Sequence, residues 1–323
     1  MKEKRAIIAE ALLEGGDVRE HLLAAGISPK SADYELERAQ KDPLFQLAQR
    51  LKRQLTKRDW ALQLHGKLAS GRAEGFTVPT VDNIEPERFF AEFYAANRPV
   101  ILTGLVDHWP ALTKWTLEYL QGAVGNAVVE LQAARTEAAD YELAKDRHKR
   151  FVPMHEVLSA IRTVEASNDF YLTAYNDTTN KHALAGLWDD LGPVSILRHE
   201  SPRDGYFWLG PKGTLTPFHH DLTNNLLVQV MGRKKVQLVP SWEVGRMKNA
   251  QHCFSDRDPA EWDDADPSLP PKLECTIGPG DALFLPIGWW HHVEALDASI
   301  SMSFTNFAAD NDFYSDYPAD TRF

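Results

Sequence analysis

From about residue 205 the chain reads as a run of short apolar segments, each bounded by glycine, proline or aspartate. This texture limits the fold more than any other feature. Segments 224–231, 234–239, 281–285 and 299–306 are predicted strands. The last sets Ile300, Met302 and Phe304 on one face and Ser299, Ser301 and Ser303 on the other. Many short strands joined by such turns predict a sandwich or barrel, and a jelly roll is the version that encloses a small site. Between residues 76 and 205 short β-branched runs such as 99–102 alternate with turns, and helices are predicted over 86–96, 113–123 and 153–165.

Residues 4–70 have a different texture. Leu44, Leu47, Leu51 and Leu55 recur at helical spacing, with Arg50, Lys52, Arg53, Lys57 and Arg58 between them. Gly15-Gly16 and 26–29 (GISP) divide the segment into short helices, and Ser28 before Pro29 reads as a helix start. Helix, turn, helix admits a DNA-binding reading. The charge there, 14 Lys+Arg against 11 Asp+Glu over residues 1–75, is too slight to favour it over a packing or dimerisation module. With 70–75 as a linker, the expected division is an all-α module at 1–75 and a mainly β domain with helices at 76–323.

The rest of the chain carries 21 basic against 35 acidic residues, and the net charge of -11 argues against a surface built to hold nucleic acid. No apolar run is long enough to span a bilayer, and the first residues lack the apolar core of a signal peptide. Two cysteines, Cys253 and Cys275, form no CxxC pair, which fits a reduced, cytoplasmic setting.

The chemistry is concentrated in two histidine clusters. In an extended segment side chains two apart point the same way, so His219 and Asp221 can converge on one ion. His291-His292 follows a turn, a short apolar strand and Trp289-Trp290. Two imidazoles and a carboxylate that leave three positions open suit a non-haem Fe(II) centre, whereas zinc would favour thiolates. An HxD alone is weak, because His and Asp are common in turns. Alternation prefers His219 to His220, since neighbours in a strand face opposite ways. His291 against His292 stays open on spacing alone.

Several stretches together resemble the JmjC-domain hydroxylases of the cupin-8 group, which include the asparaginyl hydroxylase acting on hypoxia-inducible factor. They are 97–111 (NRPVILTGLVDHWPA) with Trp115, 207–211 (FWLGP), 214–221 (TLTPFHHD), 225–234 (NLLVQVMGRK) and 280–291 (GDALFLPIGWWH), and the resemblance runs over residues 77–307. It implies a double-stranded β-helix, a jelly-roll barrel, behind the helical module. It also implies Fe(II) held by His219, Asp221 and His291, and 2-oxoglutarate as co-substrate. Lys234 matches the basic partner of the far carboxylate, which a buried dianion requires; by itself it would read as a solvated lysine like Lys235. Thr216 and Tyr171 match hydroxyl donors to that carboxylate, with Tyr175 competing for the second role. Asn225 and Asn306 match polar residues near co-substrate and iron, and Trp289 and Trp290 read as packing. No catalytic side chain beyond the metal ligands is expected.

The implied activity is that of a dioxygenase converting 2-oxoglutarate to succinate while hydroxylating a side chain in a protein or peptide, with demethylation the lesser expectation. The rival is a non-enzymatic cupin that senses metal or a 2-oxo acid. Relatives often dimerise through helices after the barrel. Here 308–323 is short, acidic and aromatic, so the N-terminal helices are the expected element for a homodimer.

Overall fold

The computed structural model describes residues 4–14, 16–71, 76–138, 140–173, 177–249, 251–259, 262–263, 265–266 and 268–318. It divides into two compact units, Met1–Gly71 and Arg72–Phe323. Among the described residues no helix is long and apolar enough to cross a membrane.

Among its described residues the first unit has four helices: α1 (Lys4–Glu14), α2 (Val18–Ala24), α3 (Pro29–Gln40) and α4 (Pro43–Ser70). Their starts follow local chemistry. Asp17 accepts the amide of Glu20, Asp42 accepts that of Leu44, and Pro29 and Pro43 open α3 and α4, where a missing N–H costs nothing. Ile7, Ile8, Ala11, Val18, Leu22, Ala32 and Phe45 form the core. The leucine stripe does not join it. Leu44, Leu47, Leu51 and Leu55 are 75%, 48%, 50% and 49% exposed, because Phe45, about 100° round the helix from the stripe, is the α4 residue that packs down.

The second unit is a pair of sheets backed by helices. Its strands are β1 (Thr80–Asp82), β2 (Val100–Thr103), β3 (Val128–Gln132), β4 (Lys149–Pro153), β5 (Tyr206–Gly210), β6 (Leu215–His220), β7 (Asn225–Met231), β8 (Lys234–Val239), β9 (Leu273–Ile277), β10 (Ala282–Leu285), β11 (Trp290–Ala295) and β12 (Ser299–Phe304). A six-stranded sheet runs β1-β2-β10-β7-β12-β5, a four-stranded sheet runs β6-β11-β8-β9, and β3 pairs with β4. Between the two larger sheets lie Ile101, Leu227, Leu283 and Leu285 from one and Val236, Leu238, Ile277 and Val293 from the other. The opposite face of the six-stranded sheet carries the main core, where Ile300, Met302 and Phe304 meet the helices. Ser299, Ser301 and Ser303 are equally buried, since they point into the space between the sheets, and Ser301 donates to Gln229.

The predicted strands appear within one or two residues. Of the predicted helices, 153–165 is the helix Met154–Thr163, and 86–96 is a short helix, Pro86–Phe89, continued by a π-turn to Tyr94. Segment 113–123 is a correction. It is two helices, Ala111–Lys114 and Leu117–Val124, interrupted where Trp115 turns inward to donate to Asp190 and Thr116 caps the second helix through the Tyr119 amide. The turn between β7 and β8 rests on Gly232 at φ +71°, where an added Cβ would collide with the Ala298 carbonyl. That turn fixes the register of β8 and thereby which of its lysines faces inward.

Burial within the helical unit makes a contrast that unfolding can read. Phe45→Ala should lower its stability by about 3 kcal/mol, while Leu51→Ala should cost less than about 0.5 kcal/mol. Hydrogen exchange of the α1–α3 amides reports both, and equal effects would contradict the packing described.

Candidate metal centre

β6 and β11 pair antiparallel with His219 directly opposite His291, so the two imidazoles stand side by side on the inner face, ring centroids 4.2 Å apart. Asp221, just past the end of β6, closes the triangle. Its Oδ1 is 3.7 Å from His219 Nε2 and its Oδ2 is 3.9 Å from His291 Nε2. Among the described residues this is the one group of three such side chains whose ligand atoms lie within 4.8 Å of one another.

Both rings are held in the tautomer that frees Nε2. His219 Nδ1 meets the Pro217 carbonyl at 2.9 Å and His291 Nδ1 meets the Trp289 carbonyl at 3.0 Å. A carbonyl only accepts, so each Nδ1 carries the proton and each Nε2 lone pair is aimed at the centre. Burial, and then the facing His291, lower His219 to about 4, so this imidazole is neutral at neutral pH. Burial would raise Asp221, but His291, His219 and the Asn225 amide at 2.9 Å outweigh it and keep the carboxyl below its ordinary range.

Adjacent histidines face the other way. His220 lies edge-on to Trp290, 4.7 Å between centroids, and His292 packs against Phe218. Simple alternation would also turn Thr216 away from His219, three residues on. It does not, because β6 carries a bulge: Pro217 and Phe218 together oppose the single residue His292. The bulge returns Thr216 to the inner face opposite Val293. Pro217 is tolerated there because β6 is the edge of its sheet.

From the triad a cavity of about 60 Å³ runs between the sheets, lined by Tyr171, Thr216, Asn225, Lys234, Trp208 and Ser303, with Leu227, Leu285 and Val293 as apolar wall. Lys234 is 2% exposed, and its Nζ donates to Tyr171 Oη at 3.0 Å. Among the described residues no carboxylate pairs with it. Lys235, by contrast, faces outward to Glu274 at 2.9 Å. Asn306 is a correction. After β12 ends at Phe304 the chain turns away to pair Phe307 with Leu197, and the Asn306 amide donates to the Arg198 carbonyl instead of reaching the cavity. Tyr175 lies outside the described residues. Trp289 and Trp290 are 2% and 1% exposed and pack on opposite faces.

Sequence reasoning missed the supports of the site. Asn311 in the tail accepts from the Asn224 amide N–H and side chain and donates to the Asn224 carbonyl. Asn224 in turn accepts the Ile287 amide, while the Asn97 side chain donates to the Ile287 carbonyl and accepts from Trp289 Nε1. The loop carrying Asp221 and the turn leading to His291 are thus tied together. Arg135, wholly buried, donates to Glu142 at 3.0 Å and to the Leu215 carbonyl at 2.7 Å, its Cζ 5.2 Å from the Tyr171 ring centroid. No local pattern marks these residues, because all the contacts but Arg135–Glu142 span distant segments.

A model of the cupin-like domain family matches residues 86–312. The chain is 31% identical to the lysine-specific demethylase JMJ30 of Arabidopsis thaliana over 68% of its own length and 52% of that protein's. It is 27% identical to the bifunctional peptidase and (3S)-lysyl hydroxylase JMJD7 of Homo sapiens, over 70% of this chain and 83% of that one. It is 25% identical to the tRNA wybutosine-synthesizing protein 5 of Gallus gallus, over 70% and 76%. The chain therefore spans about half the length of the first of these relatives. What the three share with it is the domain, since their names point to different substrates.

Burial of His292 gives the fold a measurable acid sensitivity. Burial lowers this imidazole to about 4 from an ordinary 6.5. The unfolded chain therefore binds more protons between those values, and stability rises with pH across that window. His292→Asn should remove up to about 3 kcal/mol of the difference in unfolding free energy between pH 4 and pH 6.5, measured in urea. An unchanged slope would show that His292 does not titrate in this way.

Proposed function

The chain belongs to the cupin-like JmjC domain family, and from that premise we propose that it is an Fe(II)- and 2-oxoglutarate-dependent oxygenase acting on a side chain in a protein or peptide. The observation that carries this reading is Lys234. A buried ammonium without a carboxylate partner is costly, and this one stands in the cavity onto which the His-Asp-His group also opens. A dicarboxylate spanning the cavity would meet the cation with its far end and the metal with its near end.

The donor set fits the metal. Two neutral Nε2 atoms and one carboxylate on one side leave the remaining positions open, the arrangement of non-haem Fe(II) oxygenases. His219, Asp221 and His291 would hold the ion, with Asn225 fixing the carboxylate. Lys234 Nζ, Tyr171 Oη and the Thr216 hydroxyl would receive the far carboxylate of the co-substrate. Leu227, Leu285 and Val293 keep that part of the cavity apolar and dry. With iron and 2-oxoglutarate bound, the centre would use dioxygen as oxidant: one of its atoms would enter succinate as the 2-oxo acid loses carbon dioxide, and the other would enter a substrate C–H bond. The chain's own part is to hold these groups and exclude water, and no further side chain is needed to move a proton.

A lysine-specific demethylase and a (3S)-lysyl hydroxylase among the relatives support a polypeptide substrate. Demethylation and hydroxylation share the C–H step, and the relatives carry both names. Self-association through the α4 leucines belongs to the same reading, because four half-exposed or exposed leucines in one row call for an apolar cover.

Asp221→Ala should abolish Fe(II)-dependent succinate release and weaken metal binding by at least about tenfold, the loss of one of three ligands. Wild-type turnover in that variant would remove the assignment. Lys234→Ala should raise the KM for 2-oxoglutarate by about a hundredfold or more, since several kcal/mol follow from leaving a carboxylate unpaired. A wild-type protein that binds 2-oxoglutarate and Fe(II) but releases no succinate would point to a binding-only cupin instead.

A further inference from the structure

A second cavity, about 470 Å³, lies on the outer side of β6 and shares no lining residue with the first. Its floor is apolar: Leu215 and Pro217 of β6, and Phe254, whose ring stacks on that of the ligand His219 with centroids 5.8 Å apart. The cavity therefore abuts the metal centre through one aromatic ring. Its rim carries Asp140, Asp256 and Asp258, with Leu143 standing 45% exposed beside them. Two other charged groups line it. Glu142 is already bound to Arg135, and Arg257 directs its Nε–H to the Arg246 carbonyl. Carboxylates thus outnumber cations around an apolar trough.

Acidic side chains alone would be a solvated surface, but His292 is a second and different observation. It is 8% exposed, lines this cavity, and makes no hydrogen bond among the described residues. A buried imidazole directed into a cavity without a partner is a polar group lacking its complement.

We infer that this cavity is a recognition groove for a basic polypeptide segment, gripping residues that flank the one presented to the metal. The chemistry matches a lysine or arginine side chain, whose aliphatic stem lies along Leu215, Pro217 and Phe254 while its head reaches Asp140 and Asp256 on the rim. His292 supplies the floor with a hydrogen bond to the segment's backbone. A nucleic acid would bring phosphates against this excess of carboxylates, which sets the groove apart from any surface suited to tRNA. The inference rests on the oxygenase reading for its purpose, though not for the binding itself.

The test uses the full chain and fluorescence anisotropy. The probe is a short labelled peptide alternating lysine and leucine, with a glutamate-leucine peptide and a single-stranded oligonucleotide for comparison. The lysine peptide should bind and the other two should not. Asp140→Lys combined with Asp256→Lys, both exposed positions, should weaken binding on the order of tenfold. His292→Ala should weaken it by about threefold to tenfold, the range of one hydrogen bond. Glu118→Lys, a side chain 79% exposed outside the groove, should change nothing. Equal losses in the Glu118 and groove variants would mean net charge alone is sensed and would overturn the groove, as would preference for the oligonucleotide. Failure of the oxygenase reading looks different: groove-dependent peptide binding would persist while the wild-type protein consumes no 2-oxoglutarate.

Discussion

The antiparallel register of β6 against β11 is the constraint on which the site depends. It places His219 opposite His291, and a slip of one residue would send His220 or His292 inward in their place. The register is protected from several sides. Trp290 and Phe218 are 1% and 0% exposed on the outer face, so slippage would expose them. β8 holds β11 along its other edge through six residue pairs, from Trp290–Val239 to Ala295–Lys234. The same ladder sets Lys234 inward, so the facing histidines and the buried lysine are two consequences of one pairing.

The loops that carry the triad need their own support, because Asp221 lies beyond the end of β6 and the turn before His291 carries no ladder bonds. Asn97, Asn224 and Asn311 supply it. Asn97 donates to the Ile287 carbonyl, Asn224 accepts the Ile287 amide, and Asn311 both donates to and accepts from the Asn224 backbone, so together they join segments far apart in the chain. Such a network stiffens a site only when every member is satisfied, which makes it sensitive to the loss of any one amide. Asn311, beyond the last strand, therefore bears on the geometry of the centre.

What could be read in the sequence was what repeats locally. Period-two alternation exposed β12, and the spacing in HxD exposed His219 with Asp221, since both depend on neighbours in the chain. The inward turn of Thr216 followed from resemblance, while its cause, the bulge at Pro217 and Phe218, becomes visible only when β6 is laid against β11. Asn306 was placed near the centre by resemblance, but β12 ends at Phe304 and the Asn306 amide donates to the Arg198 carbonyl. Arg135 and Asn311 gave no signal, as the partners that tie them to the site, Leu215 and Asn224, lie 80 and 87 residues away. The leucines of α4 showed the opposite failure: a clear local pattern whose burial Phe45 took instead.

The outer margin of β6 has one more consequence. A free sheet edge invites an extended chain to add itself as another strand. Here the Leu215 N–H is taken by the Asn168 side chain, the Leu215 carbonyl by Arg135, and Pro217 has no N–H to give. His219 is bridged to Phe254 further along. An incoming polypeptide finds no ladder to extend, so β-augmentation is closed to it on this side. Whatever lies along this face must be read by its side chains, and that makes the contact selective for sequence where backbone pairing would accept almost any extended segment.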